Sequence, residues 1–312
     1  MTDEPPAPLA AVVLNWNGRE DTRRAVASLL GAPRPERVWV VDNGSEAGEA
    51  GALAGDFAAE PRVTVVPLPR NVGFAAGVNE GVRRARAAGA ASFLLLNNDA
   101  TMEPGALPLL EAALAGDPEA AAVGPRILLD DGSGRTWSAG GSLVPCLGEV
   151  RHAAGGSGEG ARTAGPRATG FLTFCAVLVR GEAWDRVGPL DEEFFAYFED
   201  ADWCHRAAAA GSRLLHHPGA TVLHRGGAAA GVRSPLQQYL LTRGSVLFAR
   251  KRCGPLARLL LFWPYMFLLR APHDALKALL TRGGRAAAAV GSGLRDGIRG
   301  GAPTLPATEP AP

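Results

Sequence analysis

LLLNNDATMEP, residues 94–104, is the stretch on which the fold turns. With Ser92 and Phe93 it makes an apolar run, Ser92–Asn97, of the length of a strand buried on both faces and too short for a buried helix. The run delivers an acidic residue, Asp99, to its carboxyl end, and Pro104 suits the opening of a helix over Pro104–Ala115. Working outward, the same alternation repeats. Strands are predicted at Leu9–Asn15, Arg37–Asp42, Val63–Pro67 and near Ala121–Val123, with helices over Asp21–Leu30 and Phe74–Ala88. Continuous apolar strands separated by helices predict an α/β fold, Rossmann-like, with a mostly parallel sheet flanked by helices. In such sheets the ligand sits beyond the carboxyl ends of the strands. Those ends are polar here: Asn15-Trp16-Asn17, Asp42-Asn43-Gly44 and Asn97-Asn98-Asp99.

A second tract, FAYFEDADWCHRAAAAGSRLLHHPGATVLH (195–224), sets Glu199, Asp200 and Asp202 at the head of an alanine-rich helix and closes an apolar run on His224. Carboxylates at a helix N-terminus are favoured by the helix dipole and cap its free N–H groups, which accounts for one of them. Three acids following Phe194, Phe195, Tyr197 and Phe198 point further, to a general base with a tuned pKa. Other strings carry two readings each. Asp42 opens DNGS, a good turn sequence, or its carboxylate accepts a hydrogen bond from a nucleobase N–H. NVGFAAGVNEG (71–81) is a helix entry, or a place where Gly73 and Gly77 let a ligand approach the backbone with Asn79 on the helix face. Asp99 is an N-cap, or with His224 it offers oxygen and nitrogen to a divalent cation.

At 312 residues, 47% hydrophobic and 20% charged, the composition is globular, with room for one large domain or two smaller ones. The four cysteines, Cys146, Cys175, Cys204 and Cys253, are widely spaced without a C-x-x-C pair. That argues against a zinc site or a disulfide framework and fits a reducing compartment. Residues 1–8 are acidic and proline-rich, expected to be disordered and not a secretory signal. Residues 130–165, rich in Gly and Ser, read as a long flexible loop.

Net charge is +1 but unevenly spread. Residues 233–312 hold 12 Lys/Arg and 3 Asp/Glu, or +9, against −8 for the preceding 232. From Gln237 the pattern is helical and basic, and 301–312 reads as disordered. Such asymmetry points to an anionic partner. Nucleic acid is disfavoured, because no recognition motif accompanies the charge. An anionic membrane surface fits better, through Arg250-Lys251-Arg252 and the apolar segment Leu259–Leu269 with Trp263 and Tyr265, too short to span a bilayer. The alternative is that Leu259–Leu269 packs on the catalytic domain or a second subunit.

The ordered set VVLNWNG (12–18), VVDNGS (40–45), NVGFAAGVNEG (71–81), LLNNDATMEP (95–104) and VGPLDEEFFAYFEDADWCHRAAAAG (187–211) resembles the family 2 glycosyltransferases of the GT-A fold. It is most similar to the rhamnosyltransferase-like branch that builds bacterial cell-surface polysaccharides. The resemblance spans residues 9–250 and implies a catalytic domain over 9–232. Its nucleotide-sugar half is 9–125 and its acceptor half 166–232, followed by a helical basic tail over 233–300. It implies that Asp42 holds the nucleotide base, that Asp200 is the catalytic base flanked by Glu199 and Asp202, and that Asp99 and His224 bind Mg²⁺ or Mn²⁺. Asn15, Asn17, Asn71, Gly73, Asn79, Asn97 and Asn98 fall in donor-binding segments. One departure matters: the family's D-x-D is here Asn97-Asn98-Asp99, so its first member coordinates only through an uncharged carbonyl oxygen.

The implied reaction is an inverting, metal-dependent hexosyl transfer from a nucleotide-diphosphate sugar to a glycan or polyprenyl-linked acceptor. L-Rhamnose from a dTDP donor is the leading substrate, at the cytoplasmic face of the plasma membrane. A nucleotidyltransferase would carry a basic, glycine-rich phosphate loop that NWNGRED does not offer. A non-catalytic sugar-nucleotide-binding module would not need Asp99, Asp200 and His224 together.

Overall fold

The computed structural model describes residues 8–31, 34–153, 165–225 and 234–303. Over residues 9–97, strands β1 (Leu9–Asn15), β2 (Arg37–Asp42), β3 (Val63–Pro67) and β4 (Ser92–Asn97) alternate with helices α1 (Arg19–Leu30), α2 (Glu49–Asp56) and α3 (Phe74–Ala87). Every residue of β1 but Leu14 is buried, so β1 must lie inside the sheet, and it pairs in parallel with β2 on one side and β4 on the other. Alternation puts Val12 in one apolar cluster with Val41, Val78 and Phe93, and Val13 in the opposite one with Val26, Val40 and Leu94. Each fully buried side chain of this kind contributes about 1.5–3 kcal/mol. Helix α3 comes unusually close to β1: a Cβ on Gly81 would lie 2.3 Å from Val12 Cγ1.

The chain continues through β5 (Ala100–Met102), α4 (Ala106–Gly116), β6 (Ala120–Leu129), β7 (Thr136–Ser138), β8 (Gly141–Val144), β9 (Glu149–His152), β10 (Arg167–Thr169), β11 (Ala176–Arg180), α5 (Gly181–Val187), α6 (Glu199–Ala209) and β12 (Arg213–His224). The sheet order is β10-β12-β6-β11-β4-β1-β2-β3, with β5 added to β12 and β7 to β6. Strand β11 runs antiparallel between β4 and β6, while β6 and β12 are parallel to each other. The register brings the polar ends together, Asn15 opposite Asp42 and His224 opposite Ala100, next to Asp99.

Three expectations are corrected. First, the stretch expected to be one flexible loop is largely built: β7 joins the sheet and β8 pairs with β9 as a hairpin, while 154–164 lies outside the described residues. Second, Cys146 and Cys253 form a disulfide across 107 residues, a pairing that spacing alone could not suggest.

Third, the basic tail is part of the folded body. Helix α7 (Pro235–Arg252) is buried on nearly all sides, and after α8 (Ala271–Arg282) the chain returns along it as α9 (Gly284–Arg299), where Tyr239 Oη donates to Asp296 Oδ2 at 2.8 Å. The cluster expected to face a membrane is spent internally. Arg252 Nε donates to the fully buried Asp202 at 2.6 Å, Lys251 pairs with Asp191 and Glu193 at 2.5 and 2.6 Å, and Arg250 donates to the Gly297 carbonyl at 2.7 Å. Asp202 takes Arg206 Nε on its other oxygen at 2.8 Å. A carboxylate so deep is tolerable only because both oxygens carry a guanidinium. Arg252→Ala should therefore lower unfolding free energy by about 2 kcal/mol, the cost of a lost hydrogen bond to a buried charge, read in a urea titration; no loss of stability would contradict the pairing.

Candidate active site

At the carboxyl end of β1, Asn15 is fully buried and spends its amide on neighbours. Its Nδ2 donates to Asp42 Oδ1 at 2.7 Å and Glu49 Oε1 at 2.8 Å, and its Oδ1 accepts from Thr22 Oγ1 at 2.7 Å. Only an amide can give and take in this way. Asn98 continues the network, its Nδ2 3.3 Å from Thr22 Oγ1. Asp42 Oδ1 also accepts from Ser45 Oγ at 2.5 Å, whereas among the described residues its Oδ2 accepts only the Ser45 N–H at 3.3 Å. Asn17 is exposed, with a left-handed φ of 52°, and its Oδ1 accepts from the Glu46 N–H at 2.8 Å. Ser45 and Glu49 were not anticipated. Neither lies at a strand end, the signal used to find the others.

Asn43 clamps the next motif. Its Oδ1 accepts from the Val72 N–H at 3.0 Å, and its Nδ2 donates to Asn71 Oδ1 at 3.1 Å and to the Gly73 carbonyl at 3.2 Å. Gly73, at φ +90°, ψ 167°, occupies backbone space that only glycine reaches readily. A Cβ there would stand 2.6 Å from both Phe195 Cδ2 and the Phe195 carbonyl, which accepts from the Ala75 N–H at 3.1 Å. Asn79 holds the same region from below, exchanging hydrogen bonds with the Leu190 backbone, each 2.9 Å long. Asn79 thus joins the two halves of the chain. Phe195, Tyr197 and Phe198 all have positive φ, a concentration of strain just before Glu199.

Helix α6 carries the acids in three different states. Asp202, expected to flank the base and shape its field, faces inward and has its charge taken up by Arg206 and Arg252. Glu199 is buried, with Oε2 lacking a partner among the described residues; burial first, and then the charge of Asp200, push its carboxyl well above the usual range. Asp200 is half-buried, its Oδ1 2.7 Å from the Ala201 N–H and its Oδ2 3.4 Å from the Phe174 N–H. Burial pushes Asp200 up to about 6, restrained by those backbone N–H groups and by the Thr173 hydroxyl. One residue along, the Cys175 carbonyl accepts from the Asn97 N–H at 2.8 Å. The tripeptide Thr173-Phe174-Cys175 therefore ties the head of α6 to the Asn97-Asn98-Asp99 strand end. Burial first, and then the charges of Asp99 and Asp200, push the buried Cys175 thiol well above its usual pKa.

Asp99 Oδ1 lies 3.2 Å from His224 Nε2. The imidazole is nearly buried and packs on Trp137 of β7, ring centroids 4.7 Å apart, and its Nδ1 has no hydrogen-bond partner among the described residues. Asn97 leaves its buried Oδ1 equally unmatched. Among the described residues no third His, Cys, Asp or Glu joins the pair. A carboxylate, an imidazole nitrogen and an unclaimed amide oxygen suit Mg²⁺ or Mn²⁺, provided a phosphate-bearing ligand supplies the rest of the shell. Trp137 was missed because it lies in the stretch read as a loop.

The family model described as glycosyl transferase family 2 matches residues 10–184. An N-acetylglucosaminyl-diphospho-decaprenol L-rhamnosyltransferase of Mycobacterium tuberculosis is 28% identical over 236 residues, 69% of this chain and 75% of the relative. Among solved structures, GalNAc-T7 with UDP, GalNAc and Mn²⁺ superposes with a TM-score of 0.61 at 16% identity, over 83% of this chain and 52% of its own, so the chain spans about half of that protein. TarS 1–349 of S. aureus gives 0.57 at 15% identity over 93% and 81%, and the mannosyltransferase PcManGT of Pyrobaculum calidifontis, with GDP-Man and Mn²⁺, gives 0.54 at 16% over 96% and 79%. At such identities these likenesses speak for the fold alone, and the fold they share is GT-A.

The contact between Gly73 and Phe195 is the most exacting in the site. Gly73→Ala should cost about 1–3 kcal/mol in thermal or urea unfolding, from the forbidden backbone region alone, and should loosen Phe195; an unchanged melting temperature would contradict the docking.

Proposed function

The chain belongs to glycosyl transferase family 2, and from that premise we propose an inverting, metal-assisted sugar transfer from a nucleotide-diphosphate donor to an acceptor hydroxyl. L-Rhamnose carried on dTDP is the donor the reading favours, and the acceptor is a glycan or a polyprenyl-linked sugar. What supports this choice is the relative named as an N-acetylglucosaminyl-diphospho-decaprenol L-rhamnosyltransferase. The single observation that carries the chemistry is the tripeptide 173–175, which sets one ionisable carboxylate, Asp200, near the Asp99–His224 pair.

An acceptor hydroxyl ionises far above neutral pH, so its proton must leave as the new bond forms. Asp200 accepts that proton while the acceptor oxygen attacks the anomeric carbon, and the electron pair of the breaking C–O bond goes to the diphosphate. A bound Mg²⁺ or Mn²⁺ supplies neutralisation of the leaving diphosphate, so no second carboxylic acid is required, unlike in a glycosidase. Asp99, His224 and the Asn97 carbonyl oxygen are the groups that would hold it. Attack from the face opposite the diphosphate inverts the centre. Burial, and then the charge of Asp200, push the Glu199 carboxyl well above the usual range, which disfavours a second negative charge beside the base. Asp42 Oδ2 and the turn at Asn17 are the donor's contacts at the nucleotide end.

No helix among the described residues is long and apolar enough to cross a membrane. A polyprenyl-linked acceptor is presented at a bilayer, so we place the enzyme peripherally at the cytoplasmic face of the plasma membrane.

A screen of nucleotide sugars with Mg²⁺ or Mn²⁺, reading nucleotide diphosphate release, tests the activity; no release from any donor would count against it. Asp200→Asn should lower kcat by about a hundredfold, the usual size of a base contribution, with donor KM little changed. The base works only as a carboxylate and is mostly protonated below its pKa. In the wild type, kcat/KM should therefore fall as pH drops through about 6. A profile flat across that range, or turnover of Asp200→Asn close to wild type, would remove Asp200 from the role.

A further inference from the structure

Ten of the fourteen exposed large apolar side chains among the described residues lie between Leu256 and Leu280. Leu256 is 68% exposed, Leu268 74% and Leu280 77%, so most of each leucine is in solvent. The segment is helical throughout, with two π-helical stretches, Arg258–Phe262 and Met266–Arg270, before α8. Its inward edge is narrow: Phe262 and Met266 are buried against Val246 and Ala249 of α7. The wide π turns then leave consecutive leucines, 259 to 261, together on the outside. An exposed apolar surface concentrated in one element marks a binding face.

This face is rigidly mounted. The Cys146–Cys253 disulfide fastens its start to the excursion between β6 and β10, and Arg270 Nη1 donates to the Gly148 carbonyl at 2.7 Å and Ser245 Oγ at 2.8 Å. The Tyr265 hydroxyl bonds the Glu149 carboxylate. That same excursion carries Trp137 to His224, so the leucine face is joined through it to the candidate active site.

We propose that the surface from Leu256 to Leu280 is a membrane-docking face whose leucines enter the boundary between headgroups and acyl chains of an anionic bilayer. Charge selects this occupant. Within Leu256–Arg282 the charged side chains are Arg258, Arg270, Lys277 and Arg282 against Asp274, and of the cations Arg258 and Arg270 donate to the Arg250 and Gly148 carbonyls. Lys277 and Arg282 are exposed on the same helix as Leu276 and Leu280. A second copy related by a twofold axis would set these basic groups against their own kind. An anionic interface accepts leucines and cations together, and Trp263 and Tyr265 suit its headgroup layer. Because Arg250, Lys251 and Arg252 are engaged within the protein, leucine burial and not the basic cluster carries the attachment. The proposal rests on the lipid-linked acceptor only for its purpose, since docking needs neither donor nor acceptor.

Full-length protein is sedimented with phosphatidylglycerol-containing vesicles and with pure phosphatidylcholine vesicles, at low and high salt. The wild type should bind the anionic vesicles and retain most of that binding at high salt. Leu260→Asp with Leu268→Asp should lower the partition coefficient at least about tenfold, as expected when apolar insertion is the main term. Circular dichroism should be unchanged; if that pair does not fold, Leu268→Ser with Leu280→Ser should still show a graded loss. Three outcomes would overturn the proposal: no binding to either vesicle, binding indifferent to the leucine substitutions, or a concentration-dependent dimer that the substitutions dissolve. Wild-type protein that releases nucleotide diphosphate yet binds neither vesicle would overturn the docking face and leave the transferase reading standing.

Discussion

Two hydrogen bonds made by the backbones of consecutive residues organise this molecule: the Phe174 N–H to Asp200 at 3.4 Å, and the Asn97 N–H to the Cys175 carbonyl at 2.8 Å. They exist because β11 runs antiparallel between β4 and β6, so that the residues leading into it cross the carboxyl edge of the sheet. A parallel strand there would present its other end. The candidate site is hung from that crossing, with α6 and its acids on one side and the Asn97-Asn98-Asp99 strand end on the other. The chemistry needs a base that ionises near neutrality next to a site for a phosphate-bearing donor. Burial pushes Asp200 up to about 6, which suits the first, and the contact of Asp99 with His224 is what we propose for the second.

The positive-φ run Phe195, Tyr197 and Phe198 is held in place by its surroundings. Gly73 receives Phe195 where any side chain would collide, Asn79 grips Leu190, and Arg243 of α7, fully buried, donates to the Glu193 carbonyl at 2.8 Å. The helices after residue 234 are therefore part of what positions Asp200. Asp202 makes the same point, since its two arginines come from α6 itself and from the end of α7.

Much of the first half was legible because strand and helix periods are local. The strands Leu9–Asn15, Arg37–Asp42, Val63–Pro67 and Ser92–Asn97 stand where alternation put them, and their polar ends do converge. Helix α2 was not foreseen: EAGALAGD buries only Leu53 and carries two glycines, too little pattern to read. The acids of α6 were found as a group, but their division of labour was hidden. Whether a carboxylate faces a substrate or an arginine depends on α7, fifty residues away in the case of Arg252. Arg250-Lys251-Arg252 looked like a surface patch for the same reason, since its acidic partners lie in other parts of the chain. Trp137 and the Cys146–Cys253 bridge sit in a Gly/Ser-rich stretch whose order comes from pairing with β6 and from cross-linking to α7. No local propensity encodes either.

The central claim is that Asp200 shares one site with Asp99 and His224. The most direct measurement is NMR of protein carrying carbon-13-labelled aspartate carboxyls, titrated with Mn²⁺ in the presence of a nucleoside diphosphate. Paramagnetic relaxation should broaden the Asp99 and Asp200 signals together while Asp274 on α8 stays sharp. Broadening of Asp99 with a sharp Asp200, or Mn²⁺ addition that leaves both unaffected, would contradict it.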